Sequence, residues 1–140
     1  MLLPRNLDGD VCMKRVIFVC IENSNRSQMA EAFARIHAAD QIEALSAGSR
    51  PSGRINAKAV ESMREIGYDL TRHHSKGLDH YSGQHFDVAV TMGCGDECPF
   101  IRAVSRQDWN IPDPRDLSPE RFREVRDMIE QKVRALLHTI

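Results

Sequence analysis

Neither sign of charge dominates this sequence: nineteen Lys and Arg stand against twenty Asp and Glu, leaving a formal net charge of −1 over 140 residues. A basic footprint for nucleic acid and a polyanionic tail are both missing, so the expected partner is a small ligand or a protein. Long apolar runs are missing too. The opening MLLPRNLDGDVCMKR is interrupted before it reaches the length of a secretory core, and no later stretch approaches a membrane span. A cytoplasmic location without membrane attachment is expected. There is no internal repeat and no low-complexity segment. Only four cysteines occur, Cys12, Cys20, Cys94 and Cys98. In a reducing compartment and a chain of this size, reactive or metal-binding roles are favoured over a structural disulfide framework.

What is present reads as one domain over residues 14–140, after a loose leader at 1–13 that holds Cys12 without a function. Arg15 to Val19 is a β-branched, apolar run of the kind that forms a strand buried on both faces, and it delivers the chain to Cys20. Met29, Phe33 and Ile36 then recur at helical spacing, so a helix is expected from about Arg26. A second strand is expected at Ile42 to Ala47. Asn56 reads as the N-cap of a helix carrying Val60, Met63 and Ile66 and ended by Gly67. Phe86 to Met92 reads as a third strand and Arg106 to Ile111 as a fourth. Ser118-Pro119 opens a long amphipathic helix on Phe122, Val125, Ile129, Val133, Leu136 and Leu137. Strands alternating with helices imply an α/β fold, a parallel sheet covered on both faces, with ligands beyond the carboxyl ends of the strands. Cys20, Cys94 and the Asp113 turn all follow expected strands.

The segment Cys20-Ile21-Glu22-Asn23-Ser24-Asn25-Arg26-Ser27 sets Cys and Arg six positions apart across a strand-to-helix turn. Inward N–H groups in such a turn form a nest for an anion, reinforced by the helix N-terminus. Arg26 adds a planar fork for two oxygens of a tetrahedral oxyanion, and the same positive field favours a thiolate at Cys20. The bare spacing is common, but here a buried strand precedes it, a helix follows, and Ser27 is placed to hydrogen-bond the sulfur. Asp113, in the turn IPDP, is a candidate general acid held by Pro114. Cys94 and Cys98 in GCGDECP are four apart between glycines that permit a mobile turn, which suits a pair able to close into a disulfide. Half a zinc site, two buried thiols and a merely accidental pair of neighbours are the alternatives. Zinc lacks further ligands at a finger-like spacing, and no metal or resident cofactor is expected. His37, His73, His74, His80 and His85 read as surface or loop residues.

VIFVCIENSNRSQMAEAFAR, the later Ser46-Ala47-Gly48, FDVAVTM and PDP before a terminal helix resemble the low-molecular-weight protein tyrosine phosphatase superfamily. NSNRSQMAE and TMGCGDECP are more similar to its thiol-linked arsenate reductase branch. The resemblance implies a three-layer fold, a four-stranded parallel sheet flanked by helices. It further implies Cys20 as nucleophile, Arg26 as clamp, Ser27 as thiolate stabiliser, Asn23 as loop brace and Asp113 as acid. In some such reductases a potassium ion beneath the loop is held by groups matching Asn23, Glu31 and Ser46 and by an acidic residue whose position here is Lys76. A lysine ammonium is then expected to take the metal's place and pair with Glu31, or else to lie in solvent.

Phosphatase and reductase share thiolate attack and part afterwards, since water hydrolyses the adduct in one and a second thiol reduces it in the other. The expected reaction is reduction of arsenate, with phosphate and sulfate as competing anions. Cys94 attacks the Cys20 adduct, Cys98 then resolves it, and a thioredoxin, glutaredoxin or similar carrier reduces the disulfide. The order of Cys94 and Cys98 stays open. Two other readings are a phosphatase acting through a Cys20 phosphoenzyme and a non-catalytic oxyanion binder. Pro114-Arg115-Asp116 after the acid lacks the tyrosines of many phosphatases of this kind. Glu22 introduces a carboxylate into an anion loop.

Overall fold

The computed structural model describes residues 13–93 and 101–140. Cys12, Cys94, Cys98 and all but the last residue of the 1–13 leader therefore lie outside the described residues. Four strands form one parallel sheet: β1 (Lys14–Cys20), β2 (Ile42–Gly48), β3 (Phe86–Thr91) and β4 (Ala103–Asp108), in the order β2-β1-β3-β4. Three α-helices accompany it, α1 (Arg26–Ala38), α2 (Ala57–Arg64) and α3 (Pro119–Leu137), with short 3-10 turns at Leu70–Arg72 and Leu78–Tyr81. This is the α/β arrangement, with a four-stranded parallel sheet, that the resemblance implies.

β1 is central because Val16 to Val19 tolerate no water on either face, and each is fully buried. Alternation divides them. Val16 and Phe18 enter a core with Met29 and Phe33 of α1, Met63 of α2 and Phe122, Val125, Ile129 and Val133 of α3. Ile17 and Val19 face the opposite side, in a second cluster with Ala89 and Phe86 of β3 and with Tyr81 and Ile101. β2 and β3 leave β1 in opposite directions, so β1 and β3 flank the switch point at which a parallel sheet opens a crevice.

Local chemistry fixes the helix ends. Asn56 accepts from Lys58 N and Ser118 accepts from Arg121 N, while Pro119 starts α3 where its missing N–H is harmless. Gly67 supplies the positive φ of 86° after α2.

Three expectations need correction. The fourth strand is Ala103–Asp108, three residues upstream of the expected start: Trp109 and Ile111 are buried, but in the connection beyond it. As an edge strand it leaves Val104 86% exposed, which removes the apolar signal. Ile36 is 44% exposed, because the buried face of α1 is built from alanines around Met29 and Phe33. Ile66 is 43% exposed and lies past the end of α2.

Candidate active site

β1 ends at Cys20, and the following turn re-enters the fold as α1 at Arg26. Its carbonyls are fastened outward in succession: Cys20 O accepts from Ser49 N at 3.1 Å, Ile21 O from Arg50 N at 2.8 Å, Glu22 O from Ser52 N at 3.1 Å and Ser24 O from Asn56 N at 3.2 Å. A trans peptide sets its N–H opposite its carbonyl, so this fastening turns the N–H groups toward the other side of the loop. Gly48 makes it possible. A Cβ there would stand 2.6 Å from Ile21 O and 2.9 Å from Asn23 N, so the β2 exit passes too close to the loop for any side chain.

Asn23 holds the middle of the turn with φ 53°, a left-handed conformation that Asn tolerates better than most residues. Its side chain explains the retention. Nδ2 donates to Ser27 Oγ at 2.7 Å, and Ser27 Oγ lies 2.9 Å from Cys20 Sγ. With one Ser27 lone pair occupied by Asn23, the hydroxyl proton is free to point at the sulfur, an arrangement that suits a thiolate.

Beside Cys20 lies a cavity of about 170 Å³ lined by loop residues 20–22 and 24–26 together with Arg50, Asp113 and Arg115. Arg26 is buried and braced by donation from NH1 to Ile111 O at 3.1 Å, while NH2 stands 3.8 Å from Asp113 Oδ2. Asp113 is half exposed at the cavity edge, and its Oδ1 accepts from Arg115 N at 3.1 Å. Gly93, φ 79°, brings the end of the β3 exit against the guanidinium, since a Cβ there would lie 2.6 Å from Arg26 NH1. Glu22 turns its carboxylate to the rim, 3.5 Å from Arg115 NH1.

Beneath the loop, Glu31 is almost fully buried and surrounded by donors: Ser46 Oγ at 2.6 Å, Arg35 Nε at 3.0 Å, His73 Nδ1 at 3.5 Å and Lys76 Nζ at 3.9 Å. Lys76 also donates from Nζ to His74 O at 2.9 Å and to Ser46 Oγ at 3.3 Å, and from its backbone N to Asn23 Oδ1 at 3.0 Å. Burial lowers the Lys76 pKa from its usual value, with Glu31 pulling the other way. Among the described residues no three of His, Cys, Asp and Glu converge as a metal site.

Two participants escaped the sequence reading. Gln28, fully buried, donates from Nε2 to Asn23 Oδ1 at 2.8 Å and to His74 O at 2.9 Å, while its Oε1 meets His73 Nδ1 at 2.9 Å. His73, expected as a surface or loop residue, does lie in the loop after the Leu70–Arg72 turn, but its side chain is only 6% exposed and its Nε2 meets Tyr68 OH at 2.7 Å. The sequence offered no signal beyond a polar residue beside Met29 in α1, and nothing local could pair it with a histidine 45 positions away.

The profile of the family described as low molecular weight phosphotyrosine protein phosphatase matches residues 15–140. A glutaredoxin arsenate reductase of Synechocystis sp. is 36% identical over 131 residues, which cover 91% of this chain and 99% of the relative. A solved structure described as an arsenate reductase in the phosphate binding state superposes with a TM-score of 0.84 at 35% identity, covering 91% of this chain and 99% of the other. A thioredoxin-dependent arsenate reductase of Corynebacterium glutamicum superposes with a TM-score of 0.74 at 28% identity, covering 91% of this chain and 61% of the other. The chain belongs to the low molecular weight phosphotyrosine protein phosphatase family, among the relatives named arsenate reductase.

Proposed function

We propose that this protein is a cytoplasmic arsenate reductase whose nucleophile is the Cys20 thiolate. The observation that supports this reading most directly is the Asn23–Ser27–Cys20 hydrogen-bond series, set at one cavity with Arg26 and Asp113. Arsenate enters with its oxygens on the loop N–H groups and the Arg26 fork. Cys20 Sγ attacks arsenic, an S–As bond forms, and the departing oxygen leaves as water after taking a proton from Asp113. The Cys94 thiolate then attacks Cys20 Sγ. An S–S bond forms, the S–As electron pair stays on arsenic, and arsenite departs. Cys98 attacks Cys94, releases Cys20 and leaves a Cys94–Cys98 disulfide for a thioredoxin- or glutaredoxin-type carrier. Relatives named for each carrier make both reasonable donors. Glu31, Ser46 and Lys76 support the loop from below, the lysine serving as a tethered cation.

A single-turnover arsenite assay with mapping of trapped disulfides tests the scheme. Cys20→Ser releases no arsenite. Cys98→Ser releases about one equivalent per chain and stalls as a Cys20–Cys94 bridge, because no internal thiol remains to recycle the nucleophile. Repeated turnover by both Cys94→Ser and Cys98→Ser with thioredoxin as sole reductant would defeat the relay. Hydrolysis of an aryl phosphate without any arsenite from arsenate would return the phosphatase reading.

A further inference from the structure

The mouth of the cavity carries a feature that the reduction chemistry does not use. Glu22 of the loop and Arg115, which follows Asp113 and Pro114, reach toward each other, with NH1 3.5 Å from Oε2. Both line the cavity and both are partly exposed, so the pair stands at the water boundary rather than on the floor. Their backbones are held. Lys58 of α2 donates from Nζ to Arg115 O at 3.0 Å and to Leu117 O at 3.1 Å. Glu22 O accepts from Ser52 N at 3.1 Å and from Ser75 Oγ at 3.0 Å. With both bases anchored, the two side chains are the adjustable part of the opening.

We infer that the Glu22–Arg115 pair is a specificity element that admits a bare tetrahedral oxyanion and disfavours phosphate monoesters. The inference rests on the arsenate reductase reading above. In attack by Cys20 the departing oxygen lies opposite the sulfur, toward Asp113 and hence toward the mouth. For free arsenate that oxygen carries only protons and fits beneath a closed pair. For a monoester it carries the organic group, which must part the two side chains, and an aryl ring there meets a carboxylate instead of an apolar wall. Arg115 also offsets the Glu22 charge that would otherwise repel an incoming anion. Because exposed pairs are weak, the preference is graded rather than absolute.

Para-nitrophenyl phosphate hydrolysis tests this when kcat/KM is multiplied by the inhibition constant of inorganic phosphate, so that general damage to the pocket cancels. That product should rise about threefold to tenfold in both Glu22→Ala and Arg115→Ala, and no further in the double variant, because either change alone opens the pair. An unchanged or lower value in either single variant, or a double variant in which the two effects multiply, would overturn the inference. Arsenite release by the wild-type chain is measured alongside. Its absence would sink the reductase reading, whereas the ester measurement reports on the pair alone.

Discussion

Ser27 accepts from Asn23 at 2.7 Å and stands 2.9 Å from Cys20 Sγ, so its hydroxyl proton is free to donate to a thiolate there. A hydrogen bond to a charged partner contributes about 1.5–3 kcal/mol, or roughly tenfold to hundredfold in the rate of the attacking step. Ser27→Ala is expected to slow the first arsenite release by about that factor, and to slow alkylation of Cys20 by iodoacetamide at neutral pH. Equal rates in variant and wild type would remove the role assigned to Ser27. Cys20, Arg26 and Ser27 were legible in the sequence because they fall within one short turn between an evident buried strand and an evident helix. Gln28 and His73 were not, since their meeting depends on how the chain folds back 45 positions later.

At the scale of elements, the loop depends on its neighbours β2 and the segment around Lys76. Gly48→Ala would drive a Cβ against Ile21 O and Asn23 N, which are backbone atoms with little room to yield. A loss of about 1–3 kcal/mol is expected, seen as a fall in melting temperature of roughly 3–10 °C, together with weaker inhibition by phosphate because the loop itself is displaced. An unchanged melting temperature would contradict the close approach. Lys76 places its ammonium 3.9 Å from Glu31, so exchanging potassium for sodium should alter neither activity nor melting. Lys76→Asp would oppose a second carboxylate to Glu31, and its melting temperature should then rise with added potassium. A wild-type chain activated by potassium would refute the tethered-cation role. Most elements were legible too, because β1 carries an unbroken apolar run and α2 and α3 carry N-caps and apolar periodicity. β4 was misplaced since an exposed edge strand has no apolar pattern to show, whereas the buried Trp109 and Ile111 just beyond it do.

For the whole molecule, His73 links global stability to pH. Burial lowers its pKa below the ordinary 6.5, outweighing the opposing pull of Glu31, while Arg35, Lys76 and His74 add to the lowering. In the window from 6.5 down to that lowered value the unfolded chain binds more protons than the folded one. Stability is therefore complete above 6.5 and is lost as pH falls through the window. Melting scans between pH 7.5 and 5.5 should show this decline in the wild type and a flatter profile in His73→Gln; identical slopes would exclude the link. A last consequence belongs to the outward fastening of the loop carbonyls on the β2 exit and on Asn56. The entropy of shaping the receptor is spent when the chain folds, before any oxyanion arrives. Association is then governed by diffusion and by stripping water from the anion, and under the proposed relay the backbone mould needs no rebuilding once Cys98 has freed Cys20 for the next turnover.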